Sequence, residues 1–442
     1  MRDRVILTGW GNTAPSLTSV VNCTSDNVSE VVCASNNLIS RGLGRSYGDC
    51  AYLGGGKTVR LMPREEIQIV DDLATIDAGV SIDELLRICV PMGLFVPVTP
   101  GTRYVTIGGA IAADVHGKNH HRDGTFGAHV QSIELMMSSG HNVMLYPTDD
   151  LFWATVGGMG LTGVILRATV RLTKVETSYI RETSRRFLSL DKLMFEMEDV
   201  DRTSKYSVAW VDTIAKGRRL GRSVLSIGDH ASLVDLPRSL RKDPLKYGSS
   251  DGISLPRQAQ HFRLTKGMVR KFNDIWYRKP SSGHSCHISE IPTFFHPLDR
   301  VSNWNIIYGR RGFIQYQFVV PDSGAHLVGR IIELLNAGQF PPYFSVLKRF
   351  GEQNPGLLSF PMRGWTLAVD IPAQVPGLGR VLDECDSLIN GVGGRIYLAK
   401  DSRLHPKMFA EMYPRHGEFT ALREKYDPMR KFNSNLSRRL GL

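Results

Sequence analysis

Residues 41–57 read RGLGRSYGDCAYLGGGK and place six glycines in seventeen positions. A dinucleotide-binding βαβ turn needs G-x-G-x-x-G opening a helix, with an acidic residue about 20 positions on. Gly42 and Gly44 supply the first two glycines, but Tyr47 stands where the third belongs. The GDCAYLGGG that follows cannot open a helix, because each glycine costs about 1 kcal/mol in a helix interior. A P-loop fails as well: Gly56-Lys57-Thr58 would need a glycine at position 51, which is Ala51, and no helix follows. What remains is a tight loop of backbone N–H groups beside Arg45 and Ser46. Such a nest holds an anion without either of those folds. The alternative is a surface hairpin with no ligand, and from these residues alone both stay open.

The whole chain narrows the classes. Its 442 residues predict two domains, or one large discontinuous one, and 42% hydrophobic residues suffice for a core. No apolar run approaches the roughly 18–20 residues of a membrane span. MRDRVILTGWG lacks the apolar stretch of a signal peptide, so a cytoplasmic location is expected. Six scattered cysteines without a C-x-x-C fit a reducing compartment. HSCH at 284–287 has no second cluster at a metal-binding spacing, so it reads as a loop and no metal is expected.

The net charge of +11 is concentrated. Between Lys216 and Lys279 there are 15 Lys and Arg against five Asp and no Glu, a local excess of ten. Such a surface attracts nucleic acid, anionic lipid or a phosphorylated substrate. Interleaved apolar residues, among them Leu240, Phe262, Leu264, Met268, Phe272, Ile275 and Trp276, favour a membrane-surface role.

Local patterns divide the chain. SIDELLRICVPMG predicts a helix capped by Ser81 and Glu84 and ended by Gly93. SIELMMSSGHNVMLY predicts a hairpin, and DLFWATVGGMGLTGVILRATV a short helix, a glycine turn and a long strand. Residues 205–213 and 313–320 read as strands of a second unit. Segment 216–285 has weak periodicity and many Gly, Pro and Ser, so partial mobility is expected there. Residues 401–442 read as helical.

Two more glycine-rich stretches follow the first: PGTRYVTIGGAIAADVHGKNHH at 100–121 and LFWATVGGMGLTGVIL at 151–166. Taken together, the three resemble the vanillyl-alcohol-oxidase type of flavoprotein. The resemblance implies an α+β fold of two domains: an FAD domain made of two α+β subdomains, and a substrate domain with a mainly antiparallel sheet. LTGWG, SRGLGRSYGD, HGKNHH, WYRK, HPLD, QYQFVVP and AKDSR narrow it. They occur in the order found in the decaprenylphosphoryl-β-D-ribose 2′-oxidase family, across the whole chain. The boundaries implied are 1–178 for FAD binding, 179–394 for substrate, and 395–442 returning to the FAD domain.

The family's roles carry over as expectations. Arg41, Gly42, Gly44, Arg45, Ser46, Tyr47 and Gly48 match the loop at the FAD pyrophosphate. Pro100, Gly101, Thr102, Thr106, Gly108, Gly109 and Ala112 match the second loop. His116, Gly117, Lys118 and Asn119 match the segment passing the flavin ring, with Val164 and Ile165 on the adenine side. Relatives in the wider superfamily bond FAD covalently through a histidine where Tyr47 stands. Tyrosine makes no such bond, so non-covalent FAD is expected. Lys400 matches the lysine facing flavin and substrate, and His116 and Lys400 are the expected catalytic residues. Tyr47, Gln315, Gln317 and Trp276, with Tyr277 beside it on the same loop, match the substrate pocket. Gln315 and Gln317 alternate on one strand and therefore share a face. The family's pocket has asparagine, cysteine and tyrosine where this chain has Thr366, Ala368 and Phe295.

The activity implied is oxidation of the 2′-hydroxyl of a polyprenylphosphoryl ribose to a keto sugar. A separate NAD(P)H-dependent reductase, a quinone or oxygen as electron acceptor, and a peripheral membrane position go with it. The rivals are an oxidase of another sugar, polyol or aldonolactone, and an anion- or nucleic-acid-binding protein. The latter leaves three glycine loops unexplained, and no nucleic-acid-binding motif appears, so no nucleic-acid partner is expected.

Overall fold

The structure, a computed structural model, describes every residue except 1–3, 64–66, 249–251, 257, 259–264, 281–284, 338–341 and 374. Phe262, Leu264 and His284, named above, lie outside the described residues. The first sheet runs in the order Arg4–Leu7, Ser16–Cys23, Lys57–Leu61, Leu38–Ser40. Leu38–Ser40 and Lys57–Leu61 pair in parallel, with Leu38 opposite Lys57. A hairpin joins antiparallel strands, so residues 41–56 are a crossover and the hairpin alternative falls.

A five-stranded antiparallel sheet follows, ordered Ile67–Val70, Leu73–Asp77, Val164–Arg171, Val130–Met136, Asn142–Leu145. Its helix Ile82–Cys89 starts as the sequence predicts: Ser81 accepts from the Glu84 N–H, and the Glu84 carboxylate accepts from the Ser81 N–H. The predicted hairpin around 138–140 and the strand Val164–Arg171 are present.

The third sheet has eight strands, all antiparallel. Their order is Ser285–Glu290, Tyr179–Phe187, Ser223–His230, Tyr206–Val211, Phe344–Phe350, Gly364–Pro372, Phe313–Val320, Arg395–Ile396. One expectation is corrected here, and segment 216–285 holds more regular structure than its weak periodicity suggests. Within 216–285, Ser223–His230 is an interior strand and Lys266–Arg278 a helix capped by Thr265. Their periodicity is masked in the sequence by the cations around them. The described part of HSCH is not a loop: residues 285–287 begin the sheet's edge strand, where Cys286 pairs with Thr183.

Three C-terminal helices, Pro406–Met412, His416–Tyr426 and Asn435–Leu440, return to the first sheet. Arg439 pairs with Asp49 and Asp401, each at 2.9 Å. The Leu38 N–H donates to Lys431 O, and the Asn433 N–H to Leu38 O, both at 2.9 Å.

Candidate active site

A cavity of about 640 Å³ opens where the three sheets meet, lined by both N-terminal glycine loops and by the eight-stranded sheet. That volume lies within the roughly 300–1,000 Å³ of small-molecule and cofactor sites. At one end the wall is backbone. Arg41, Gly42, Gly44, Arg45 and Ser46 face Pro100, Gly101, Thr102, Thr106, Gly108, Gly109 and Ala112, with Val164 and Ile165 beside them. Gly44 holds φ +69°, a conformation glycine adopts without strain, and a Cβ there would sit 2.5 Å from the Arg41 guanidinium. Among the described residues the N–H groups of Leu43, Gly44, Arg45 and Ser46 meet no acceptor. Arg41 is anchored on the carbonyls of Thr8 and Ala51. The Arg45 guanidinium lies 3.9 Å from the Trp10 ring centroid. Both arginines keep a buried Nε without a partner.

At the other end the wall is side chains in register. Gln315 stands opposite Asp370, and Asp370 opposite Phe344; Gln317 stands opposite Ala368, and Ala368 opposite Val346. One step on, Thr366 is opposite Lys348. Alternation puts these rows on one face, and Gln315, Gln317, Phe344, Val346, Lys348 and Ala368 all line the cavity.

Two hydrogen-bonded chains cross that face. The Lys400 ammonium donates to Gln315 Oε1, and Gln315 Nε2 donates to Asp370 Oδ1 at 2.6 Å. The Tyr308 hydroxyl donates to Asp370 Oδ2 at 3.1 Å. The Thr366 hydroxyl donates to Phe318 O, so its oxygen accepts from Gln317 Nε2 at 3.1 Å. That fixes the amide's orientation. Gln317 Nε2 also lies 3.1 Å from His116 Nε2, which must therefore accept, leaving the imidazole proton on Nδ1. His116 Nδ1 and Gln317 Oε1 are buried and unpartnered.

Burial sets the charges. It lowers Lys400 to about 8, while Asp370 pushes it back up. Lys348 falls to about 7, through burial and then the charges of Lys400 and Lys118. His116 is held well below the usual histidine range by burial, Lys348 and Lys400. Asp370 rises to about 6 through burial, held down by Gln315 and Lys400. Burial raises the Tyr47 hydroxyl well above its ordinary value, and the Lys400 ammonium lies 5.0 Å from the Tyr47 ring.

Eight residues expected at the site, Tyr277 beside Trp276 among them, do not line the cavity. Gly48 packs against the Asp401 backbone, and Gly117 against Thr99. Lys118 turns to the Phe294 carbonyl, 4.1 Å from that residue's ring centroid. Asn119 donates to Pro97 O and Asp123. Phe295 is buried among Phe95, Tyr206 and Phe294. Thr366 stands behind Gln317. Trp276 is on the helix Lys266–Arg278, stacked on Phe272. For these residues a motif position gave no side-chain direction. Conversely, Lys348, Asp299, Trp10, Trp304 and Tyr397 line the cavity without having been singled out. Nothing local to FSVLKRF singles out Lys348, whose place is set by strand pairing; Trp10 and Asp299 sat inside quoted motifs that assign them no role.

Comparisons with known proteins settle the family. Residues 20–146 match the FAD binding domain family, and residues 330–440 match the D-arabinono-1,4-lactone oxidase family. The chain is 42% identical to decaprenylphosphoryl-beta-D-ribose oxidase of Mycolicibacterium smegmatis, over 99% of this chain and 97% of that protein. The chain belongs to the decaprenylphosphoryl-β-D-ribose oxidase family. It is therefore an FAD-dependent oxidoreductase of the vanillyl-alcohol-oxidase type. It is also 36% identical to an uncharacterized protein of Streptomyces coelicolor, over 82% of this chain and all of that one. An alditol oxidase of a Streptomyces species is 26% identical over 34% of the chain. The cavity fits the family's FAD: loop amides that meet no acceptor lie at its glycine-loop end, where Arg41 and Arg45 are among the lining residues.

Proposed function

We propose that the protein oxidises the 2′-hydroxyl of a polyprenylphosphoryl ribose to the 2′-keto sugar, with non-covalent FAD. The observation that carries this reading is the placement of Lys400 and His116. Gln315 and Gln317, two residues apart on one strand, hold them at the cavity the glycine loops line. The match to decaprenylphosphoryl-beta-D-ribose oxidase supports the substrate.

Bound FAD would supply the hydride acceptor. The loops 41–46 and 100–112 would hold it through backbone N–H groups, with Arg41 and Arg45 beside the phosphates. Tyr47 offers no covalent link. Gln317 and His116 line the cavity, where the side-chain amide and the imidazole would orient a hydroxylated ring. His116 is too weak a base to take the hydroxyl proton. Lys348, at about 7, is partly neutral near neutral pH, and its amine takes that proton. Lys400, at about 8, stays cationic there and stabilises negative charge where it develops. Residues 1–178 and 395–442 form the cofactor unit, and 179–394 the substrate unit. A separate NAD(P)H-dependent keto-sugar reductase would complete epimerisation, a quinone or oxygen would take the electrons, and the enzyme would work at a membrane surface.

A second reading, oxidation of another sugar, polyol or aldonolactone, is favoured by the D-arabinono-1,4-lactone oxidase match of residues 330–440 and by Thr366, Ala368 and Phe295. The deciding experiment is an absorbance spectrum of the holoprotein, with polyprenylphosphoryl ribose added anaerobically. Bleaching, and yellow colour released by acid precipitation, are expected. An unbleached spectrum transfers the assignment to the second reading, and colour retained in the pellet overturns non-covalent binding.

A further inference from the structure

The helix Lys266–Arg278 has two unlike faces. Val269 and Asn273, four residues apart, are buried, and Asn273 Nδ2 donates to Asp212 Oδ1 at 2.8 Å. Asp274 pairs with Arg222 at 2.6 Å, and the Tyr277 ring lies 5.1 Å from the Arg222 guanidinium. These contacts fix the helix on the ends of two strands of the large sheet. Met268, Phe272 and Ile275, spaced four and three apart, point away from it and are 42%, 49% and 62% exposed. Phe272 stacks on Trp276 with ring centroids 5.9 Å apart, and the Lys279 ammonium lies 5.0 Å from the Trp276 ring. Among the described residues nothing buries this stripe. Lys266, Arg270, Lys271 and Arg278 are exposed beside it, and the helix's one acid, Asp274, is taken by Arg222.

We infer that this helix docks the enzyme on an anionic lipid surface, with Met268, Phe272, Ile275 and Trp276 entering the acyl boundary and the flanking cations meeting the headgroups. A short helix with an aromatic-aliphatic stripe bordered by Lys and Arg is the pattern that lies in a bilayer interface. Charge selects the occupant: the helix sits in the 216–279 segment with its excess of ten positive charges, so an acidic surface is complementary and a second copy of this chain is not. Another exposed apolar residue of the basic segment lies next to the cavity. Ile253 is 77% exposed on a strand paired in register with Val301, which lines the cavity. The inference rests on the proposed substrate only in expecting a membrane at the site of work.

The test is flotation of the holoprotein, without substrate, with vesicles of phosphatidylglycerol and phosphatidylcholine, and with phosphatidylcholine alone. Salt-sensitive binding to the anionic vesicles only is expected. Phe272→Ser with Ile275→Ser should weaken it at least tenfold, and Lys271→Glu with Arg278→Glu by roughly fivefold or more per cation. The flavin spectrum, and flavin bleaching by a short-chain soluble substrate, should not change in either variant. The charge variants alter exposed side chains outside the core, so they keep the test sound if the apolar pair misfolds. Absence of binding to anionic vesicles, or binding indifferent to all four substitutions, overturns the inference. So does a dimer in solution that Phe272→Ser dissociates. Vesicle binding with no bleaching by the ribose substrate would sink the substrate reading and leave the docking helix standing.

Discussion

The two ends of the cavity are made of different materials. Around residues 41–46 and 100–112 the wall is backbone, and the useful groups are amides that every residue carries. Across Gln315, Gln317, Asp370, Thr366 and Lys348 it is side chains, aligned by the register of three strands. A backbone wall tolerates changes of residue type but no added volume where chains touch. A side-chain wall tolerates changes of size but no loss of a donor or charge. The first kind suits a cofactor shared by a whole superfamily; the second lets substrate preference drift one side chain at a time.

Substitutions can break that contrast. The largest effect is expected at Gly48, where a Cβ would sit 1.6 Å from Asp401 O, a backbone atom with no freedom to move away. Gly48→Ala should cost more than about 4 kcal/mol and leave no soluble flavoprotein, read by thermal melting and bound flavin. A variant that melts normally would show the packing of the first glycine loop on Asp401 to be softer than described. Next is Lys400→Met, which should lower kcat by about 10²–10³-fold with flavin content unchanged. An unaltered kcat would take Lys400 out of the chemistry.

The pH profile sharpens the side-chain end. Activity should rise as Lys348 loses its proton through about 7 and fall as Lys400 loses its own through about 8. Lys348→Met should lower kcat about 10²-fold and erase the rising limb; a rising limb that survives would remove Lys348 as the base. Thr366→Val strands one N–H of Gln317, at a cost of about 1–3 kcal/mol, and should raise KM more than it lowers kcat. The smallest effect belongs to Ala368→Cys. Turnover should stay within about twofold, while the protein gains a thiol in the cavity that a cavity-directed electrophile labels, as mass spectrometry would detect.

The same contrast explains what could be read from the chain. Glycines at 42, 44, 101, 108 and 109 announced the cofactor end because a nest needs them wherever it occurs. Gln315 and Gln317 were legible as a pair because both lie on one strand. Lys348 was not, because its membership depends on Phe344–Phe350 lying next to Gly364–Pro372, a pairing no local pattern encodes. Lys118 and Asn119 sit in a legible motif, yet their side chains serve the packing behind it. Segment 216–285 looked irregular because cations crowd the sequence on either side of Ser223–His230, a strand that the sheet nonetheless pairs on both edges.

The return of the C-terminus to the first sheet has a consequence for how the chain is made. The edge strand at Leu38 is completed by Lys431 and Asn433, and Asp49, at the far end of the first glycine loop, is tied to Arg439, 390 positions later. At about 5–20 residues per second, a ribosome would need roughly 20–80 s to deliver that partner after the loop has emerged. The nascent cofactor loop therefore waits unfinished until Arg439 has emerged, and flavin capture waits with it.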